Sequence, residues 1–474
     1  MTRPPSRPSP LCLLLLLVSL APLHADPLGV ALGRILDAPA LKGGITGAIV
    51  CRADSGRVVF QRNADVRLIP ASNRKLFTAA AALEGLGPRF AMTTRLCAQA
   101  QPDGAGTVHG DVYLRGGGDG LLSAADLDAM VQALAARGVK RVEGDVVGDG
   151  TLFTDGPYGF GWEWDDLSDE EFPQISALEA GEGDLGVHVS AGKAVGDPVV
   201  ATLDSRTAYL PVVANARTGP KDGPNDCAVT RPWDKPFFVV SGTLPLGQTL
   251  TANVPVQDPA RLAATLLSEA LVRHGIALTG RAVTGKTPMT AAVTLAAHTT
   301  APLSAYLARM TKPSDNLLAE SLVRLLGAGH GAGGSYEAGH AVETPIFKHL
   351  GVDTNAITLV DGCGVGRRNY VTARAVAQLL LGMHKQADWR IYYNALPIAG
   401  VDGTLKGRMK GTRAANNVHA KTGTLGAVRA LSGYVTGRDG HLYVFSLLMN
   451  NFPGTARQAG AVQDSFVEYL AARG

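Results

Sequence analysis

Three short patterns in the chain carry side chains able to do acyl-transfer chemistry. Ser72-Asn73-Arg74-Lys75 puts a hydroxyl and an amine three residues apart, ahead of the Ala-rich stretch Leu76 to Leu83. If that stretch is a helix, positions i and i+3 share a face, and the hydroxyl sits at the positive end of the dipole. A serine needs a base to become a nucleophile. Lysine serves when burial and nearby positive charge make it neutral near pH 7. Ser314-Asp315-Asn316 offers a second hydroxyl and an amide ahead of Leu317-Leu318-Ala319-Glu320. Lys421-Thr422-Gly423-Thr424 adds a compact cation suited to a carboxylate, two hydroxyls and a glycine that lets a ligand approach the backbone.

Each pattern alone is weak. With 19 Ser and 13 Lys in the chain, about half a chance Ser-x-x-Lys is expected. A second one exists, Ser190-Ala191-Gly192-Lys193, but it follows a strand in Gly-rich sequence and reads as a turn. Ser or Asp ahead of a helix is an ordinary N-cap, and a strand lysine is ordinarily solvated. Together, in this order, the three coincide by chance only roughly a few per cent of the time. Each also has the context it needs.

Those contexts define the elements. Residues 44–62 read as a hairpin turning at Asp54-Ser55-Gly56. Lys75 to Leu83 reads as a tightly packable helix. From about 95 to 300 short strands and Gly-rich turns dominate, with two helices near Ala124–Ala136 and Pro259–His274. Ala214 to Pro236 reads as a long loop. Helices return at Leu303–Met310, Asp315–Leu326, Tyr336–Leu350 and Thr372–Lys385. A hairpin, Ala427–Val435 and Leu442–Met449, and an amphipathic helix, Thr455–Ala472, close the chain. The segment with Lys421 is expected to be an edge strand, free to pair with an extended peptide.

Composition narrows the class. The 474 residues suggest two to four domains, and 46% hydrophobic with 18% charged residues describe a folded protein. Arg3 and Arg7, the apolar run Leu11 to Leu20 and the small residue Ala25 form a secretory signal over residues 1–25. Without it the charge balance falls from +3 to 42 − 41 = +1. No basic patch supports nucleic-acid binding. No later apolar run reaches the ~20 residues of a membrane span. Cys51, Cys97, Cys227 and Cys363 have no metal-ligand spacing, so neither a metal nor another cofactor is implied. Export leaves room for one or two disulfides. Cys363, in a Gly-rich loop, reads as a small filler or a disulfide partner rather than a nucleophile.

The ordered set Ser-x-x-Lys, Ser-x-Asn, Lys-Thr-Gly resembles the signature of penicillin-binding proteins and serine β-lactamases. About 240 residues separate the first motif from the second. That gap resembles the D-alanyl-D-alanine carboxypeptidase/endopeptidase family of low-molecular-mass penicillin-binding proteins (peptidase family S13), which carries two extra domains at this point. Gly110 to Asp119, Gly144 to Asp149, Gly161 to Asp166 and Leu396 to Leu405 also look similar to it. The resemblance covers nearly the whole mature chain. It implies a mixed α/β (α+β) transpeptidase-like domain, an antiparallel sheet flanked by helices, from residues 26–94 and 297–474. It also implies two strand-rich inserted domains, 95–175 with 272–296, and 176–271.

By the same resemblance Ser72 attacks the carbonyl of the penultimate D-Ala and Lys75 takes its proton. Ser314 and Asn316 complete the relay and hold the substrate amide. Lys421, Thr422 and Thr424 receive the terminal carboxylate, next to Gly423, with the N–H groups of Ser72 and Thr424 as oxyanion hole. Asp149 and Arg367 would recognise the charged end of a diaminopimelate side chain. The implied partners are peptidoglycan peptides, with β-lactams as covalent inhibitors. No nucleic acid and at most peripheral membrane contact are expected, in a secreted, periplasmic protein; a homodimer stays open. Two departures stand out. Asp361-Gly362-Cys363-Gly364-Val365-Gly366-Arg367 replaces the usual Asp-Gly-Ser-Gly-Leu-Ser-Arg, and Gly120 replaces a proline. The rival readings are a serine β-lactamase, against which the insertion and the lack of Glu-x-x-Leu-Asn stand, and a non-catalytic wall-binding protein.

Overall fold

The computed structural model describes residues 27–474 except 165, 205–206 and 233–234. The expected leader, 1–25, lies outside the described residues.

One antiparallel sheet joins the two ends of the chain. Its strands are β1 (Ile45–Arg52), β2 (Val58–Arg62), β3 (His419–Leu425), β4 (Val428–Thr436) and β5 (Leu442–Asn450), in the order β3-β4-β5-β1-β2. The central pairing sets Ile45 opposite Asn450 and Arg52 opposite Tyr443. Strand β5 is apolar on both faces, and its period-2 alternation explains why. Val444 and Leu448 face one core, while Tyr443, Phe445, Leu447 and Met449 face the other. The second core is closed by the helices Pro27–Ile35 and Ala456–Arg473.

The first core surrounds helix α1 (Arg74–Leu86), in which every residue from Arg74 to Leu83 is buried. Its run of four alanines, Ala79 to Ala82, lets helices α2 (Asn316–Gly329) and α3 (Tyr336–His349) approach closely. Helices α1, α2 and α3 and the C-terminal hairpin fall where the sequence places them, within two or three residues.

The inserted block has a core of its own, drawn from residues between Leu96 and Leu295. Its larger sheet has five strands: Ala282–Thr284, Val146–Asp149, Val112–Arg115, Thr93–Ala98 and Val293–Thr299, in that order. Helices Ala124–Ala136 and Pro259–Arg273 pack on it and on each other. Smaller sheets, such as the one built on Asp184–Ser190 and Thr249–Pro255, complete the block.

Two expectations need correction, and one helix was not anticipated. The long loop Ala214–Pro236 contains two strands, Arg217–Gly219 and Ala228–Thr230; three residues are too few to show alternation in sequence. Trp389–Ala395 is a helix that the sequence hides, because Trp-Arg-Ile-Tyr-Tyr has the aromatic and β-branched composition of a strand. The four described cysteines are all free thiols, so no disulfide forms among them. Cys51 and Cys363 fill the first core, Cys97 packs with Tyr113 and Val147 elsewhere, and Cys227 is half-buried.

Candidate active site

The nucleophile motif begins on a strained turn. Ala71 sits at φ 46° and opens a 3-10 turn, Ala71–Asn73, that runs directly into α1. The side chain of Asn73 does not cap the helix; it donates to the backbone oxygen of Lys421 at 2.9 Å and ties the turn to β3. Lys75, one turn on from Ser72, is wholly buried. Its Nζ donates to Ser72 Oγ at 3.1 Å, Asn316 Oδ1 at 2.7 Å and Cys363 O at 3.1 Å. Burial pushes this lysine below its ordinary pKa, against the opposing pull of the Cys363 thiol and of Asp315, Glu320 and Asp361.

The second motif divides its work. Asp315 is the N-cap of α2, its carboxylate accepting from Leu318 N at 2.8 Å. Ser314 and Asn316 are therefore free to face the cleft. Ser314 reaches it from a left-handed backbone, φ 73°. The Asn316 amide is oriented at both ends, since its Nδ2 donates to Glu171 O at 2.8 Å.

Lys421 lies on β3, the edge of the sheet. It is wholly buried and donates to Ser314 Oγ at 2.8 Å and Thr422 O at 2.9 Å. Burial first, and Lys75 second, push it well below its ordinary pKa. The N–H of Ala420 turns away from β4 to reach Pro397 O. Backbone alternation therefore carries the N–H groups of Thr422 and Thr424 to the same outer side. Gly423 lets that side close on the nucleophile: a Cβ there would lie 2.7 Å from Pro70 O and 3.1 Å from Ser72 N.

These groups meet in one cavity of about 450 Å³, lined by Ser72, Ser314, Asn316, Thr422, Gly423 and Thr424. Thr404 joins them, its hydroxyl accepting from Thr422 Oγ1 at 2.7 Å. The facing wall comes from the inserted block and is acidic, with Glu170, Glu171, Glu182 and Asp184. A half-buried nucleophile beside a buried amine, a second hydroxyl–amine pair and a free strand edge can together form and release an acyl-enzyme.

The chain matches the D-Ala-D-Ala carboxypeptidase 3 (S13) family over residues 29–473. It belongs to that family. A D-alanyl-D-alanine carboxypeptidase of Actinomadura sp. is 39% identical over 96% of this chain and 88% of its own length. The crystal structure of penicillin binding protein 4 from Haemophilus influenzae superposes with a TM-score of 0.81 at 25% identity, covering 92% of this chain and 98% of the other. The same protein complexed with a β-lactam gives 0.75 at 24% identity, with the same coverage.

Two residues expected from the S13 resemblance do not meet. Asp149 is buried at the end of its strand. Its carboxylate accepts from Thr151 N at 2.9 Å, Thr151 Oγ1 at 2.7 Å and Thr287 N at 2.7 Å. It tightens a turn and does not line the cavity. Arg367 stands half-exposed beside the turn that follows β3, near Gly426 O, with the Glu163 carboxylate at 3.6 Å. A charged group at that rim would meet Glu163, not Asp149.

The altered loop Asp361–Arg367 is held from within. The Asp361 carboxylate accepts from Gly364 N at 2.8 Å, Gly366 N at 2.7 Å and Asn369 Nδ2 at 2.9 Å. Burial and the neighbouring Glu320 push Asp361 up. Gly364 has φ 93°, and a Cβ there would strike Ala71 O. Cys363 fills space, with its thiol also pushed up by burial. What it gives the site is its backbone carbonyl, which a serine would supply equally. Sequence reading missed Asn73, Thr404, Glu320 and that carbonyl. Only Glu320 had a readable signal, four residues after Asn316 on one helix face.

Proposed function

We propose that the chain is an exported serine-type D-alanyl-D-alanine carboxypeptidase that also cleaves peptide cross-links as a DD-endopeptidase. The observation that carries this is the buried Lys75 amine, 3.1 Å from Ser72 Oγ, with both its other acceptors fixed. Neutral Lys75 takes the proton of Ser72 as Oγ attacks the penultimate D-Ala carbonyl. The oxyanion sits between the N–H groups of Ser72 and Thr424. Lys75 returns that proton through the Ser314 hydroxyl to the departing D-Ala nitrogen, with Lys421 holding the relay electrostatically. Water then attacks the ester and restores Ser72. The terminal carboxylate docks by Lys421, Thr422 and Thr424; its negative charge raises the depressed pKa of Lys421 and makes it a better anchor. A β-lactam enters as a substrate mimic and stays on Ser72.

The substrates on this reading are peptidoglycan peptides and the compartment is the periplasm. No helix of the described residues is long and apolar enough to cross a membrane. The inserted block is read as two domains, 95–175 with 272–296, and 176–271, that wall the cleft. Intact mass of the mature protein after benzylpenicillin, beside a Ser72→Ala control, tests the reading. One stable adduct, absent in the control, is expected. Rapid drug hydrolysis without an adduct would make it a β-lactamase. Neither adduct nor hydrolysis would make it a wall-binding protein.

A further inference from the structure

A neutral amine has two hydrogens and one lone pair. Lys75 has three partners, and two of them, Asn316 Oδ1 and Cys363 O, can only accept. If both take a hydrogen, the lone pair has one direction left, towards Ser72 Oγ. The base is aimed by whatever holds those two oxygens in place.

Asn316 is held by Glu171 O and by its place at the start of α2. Cys363 O belongs to a loop, and the loop hangs from Glu320. The Glu320 carboxylate is wholly buried, one helical turn beyond Asn316. It accepts from Cys363 N at 2.7 Å and Gly362 N at 3.0 Å, and from the Tyr336 hydroxyl. Residue 363 is thus pinned at its N–H by Glu320 while its C=O takes a hydrogen of Lys75. One face of α2 holds the amine twice, directly through Asn316 and through a backbone unit by Glu320.

We propose that Glu320 is a positioning residue for the base: it fixes the Cys363 carbonyl and so points the lone pair of neutral Lys75 at Ser72 Oγ. The proposal rests on Lys75 being the base. Other charged and titratable groups also face the amine: Asp315 from the start of α2, Asp361 and the Cys363 thiol from the loop, and Lys421 from β3. Around Glu320 itself stand Tyr336 of α3 and Asp361, with Arg324 stacked on the Tyr336 ring at 4.5 Å. Glu320 is among the carboxylates that favour the charged amine. Its roles therefore separate on substitution. Removing the charge alone makes Lys75 easier to neutralise. Removing the anchor lets the carbonyl drift.

The experiment follows benzylpenicillin acylation of the mature chain against pH, per titratable Ser72, in wild type, Glu320→Gln and Glu320→Ala. Glutamine keeps one acceptor oxygen for Cys363 N and loses the charge. Its plateau is expected within a few-fold of wild type, with the acid limb moved to lower pH. Alanine keeps neither, and a misplaced base is expected to lower the plateau by on the order of 10²-fold. An alanine plateau equal to that of wild type would overturn the proposal, wherever the acid limbs fall. So would an alanine defect that vanishes when rates are expressed per labelled Ser72, which would mark a merely structural role. If the alanine variant does not fold, Glu320→Leu, which keeps bulk but offers no acceptor, takes its place, and a plateau equal to that of wild type overturns the proposal. A Lys75→Ala variant that still acylates at the wild-type rate would instead sink the base assignment itself.

Discussion

Around the cleft, Arg74, Lys75, Glu320, Asp361 and Lys421 are all wholly buried. They are joined through Asn73, Asn316, Ser314 and the loop at Cys363. In the inserted block the ion pairs Arg273–Asp128 and Arg141–Glu143 stand at the surface, with side chains more than a third exposed. Both regions have full apolar cores. The difference is in what their charges do. Surface pairs are screened and loosely held. Buried ones are costly unless every partner is in place, and in return they fix geometry. The buried charges around the cleft build a site; these two surface pairs of the block do no more than face water.

That contrast can be broken at four points. Ser72→Ala removes the nucleophile, and turnover of a D-Ala-D-Ala peptide should fall by on the order of 10⁶-fold, with no penicillin adduct by mass. Next comes the buried pair of Arg74 and Glu343, 2.9 Å apart with side chains 0% and 2% exposed. Glu343→Gln strands Arg74 and should cost ~3–5 kcal/mol in denaturant unfolding. Burial raises the Glu343 pKa, but Arg74 and His340 outweigh it and hold it below the ordinary value. Its stabilisation is therefore present above the unfolded carboxylate pKa and lost as pH falls through the lowered folded value. Wild type should lose stability faster on acidification than Glu343→Gln does.

Third, Gly423→Ala forces a methyl against Pro70 O and Ser72 N. Acylation by benzylpenicillin should drop by about 10²- to 10³-fold, the usual cost of losing an oxyanion donor. An unchanged rate would mean that the edge strand is not half of that hole. Last, Asp128→Ala in the inserted block, which frees Arg273 and His274 at the surface, should cost less than ~1 kcal/mol. A loss as large as that of Glu343→Gln would erase the contrast.

What the sequence made legible follows the same division. Ser72 and Lys75 share a local helical spacing, and Ser314, Asn316 and Lys421 are side chains of recognisable type, so their meeting could be anticipated. Half of the acceptors that complete the site are backbone oxygens, at Cys363, Glu171, Lys421 and Thr422. A carbonyl has no residue type, and no motif encodes it. Asp149 shows the converse: an acid at a strand end has the right chemistry for a ligand, yet two threonines consume it. The main sheet was readable because its strands are seven to nine residues long, apart from β2. The three-residue strands of the inserted block were not.

The pairing of β1 with β5 sets Ile45 opposite Asn450, 405 positions further along the chain. Few contacts in a protein close so large a loop, and such non-local pairings form late and slowly. Strand β3, with Lys421, waits on the same event, because it reaches the sheet only through β4 and β5. The inserted block closes a loop about half that size, with Thr93 opposite Thr299, and its core lies entirely within one continuous stretch. During synthesis it can collapse while the C-terminal hairpin does not yet exist. The hydrolase therefore stays inert until its last strands emerge, and a chain cut short before Leu442 should contain a folded block and no working serine.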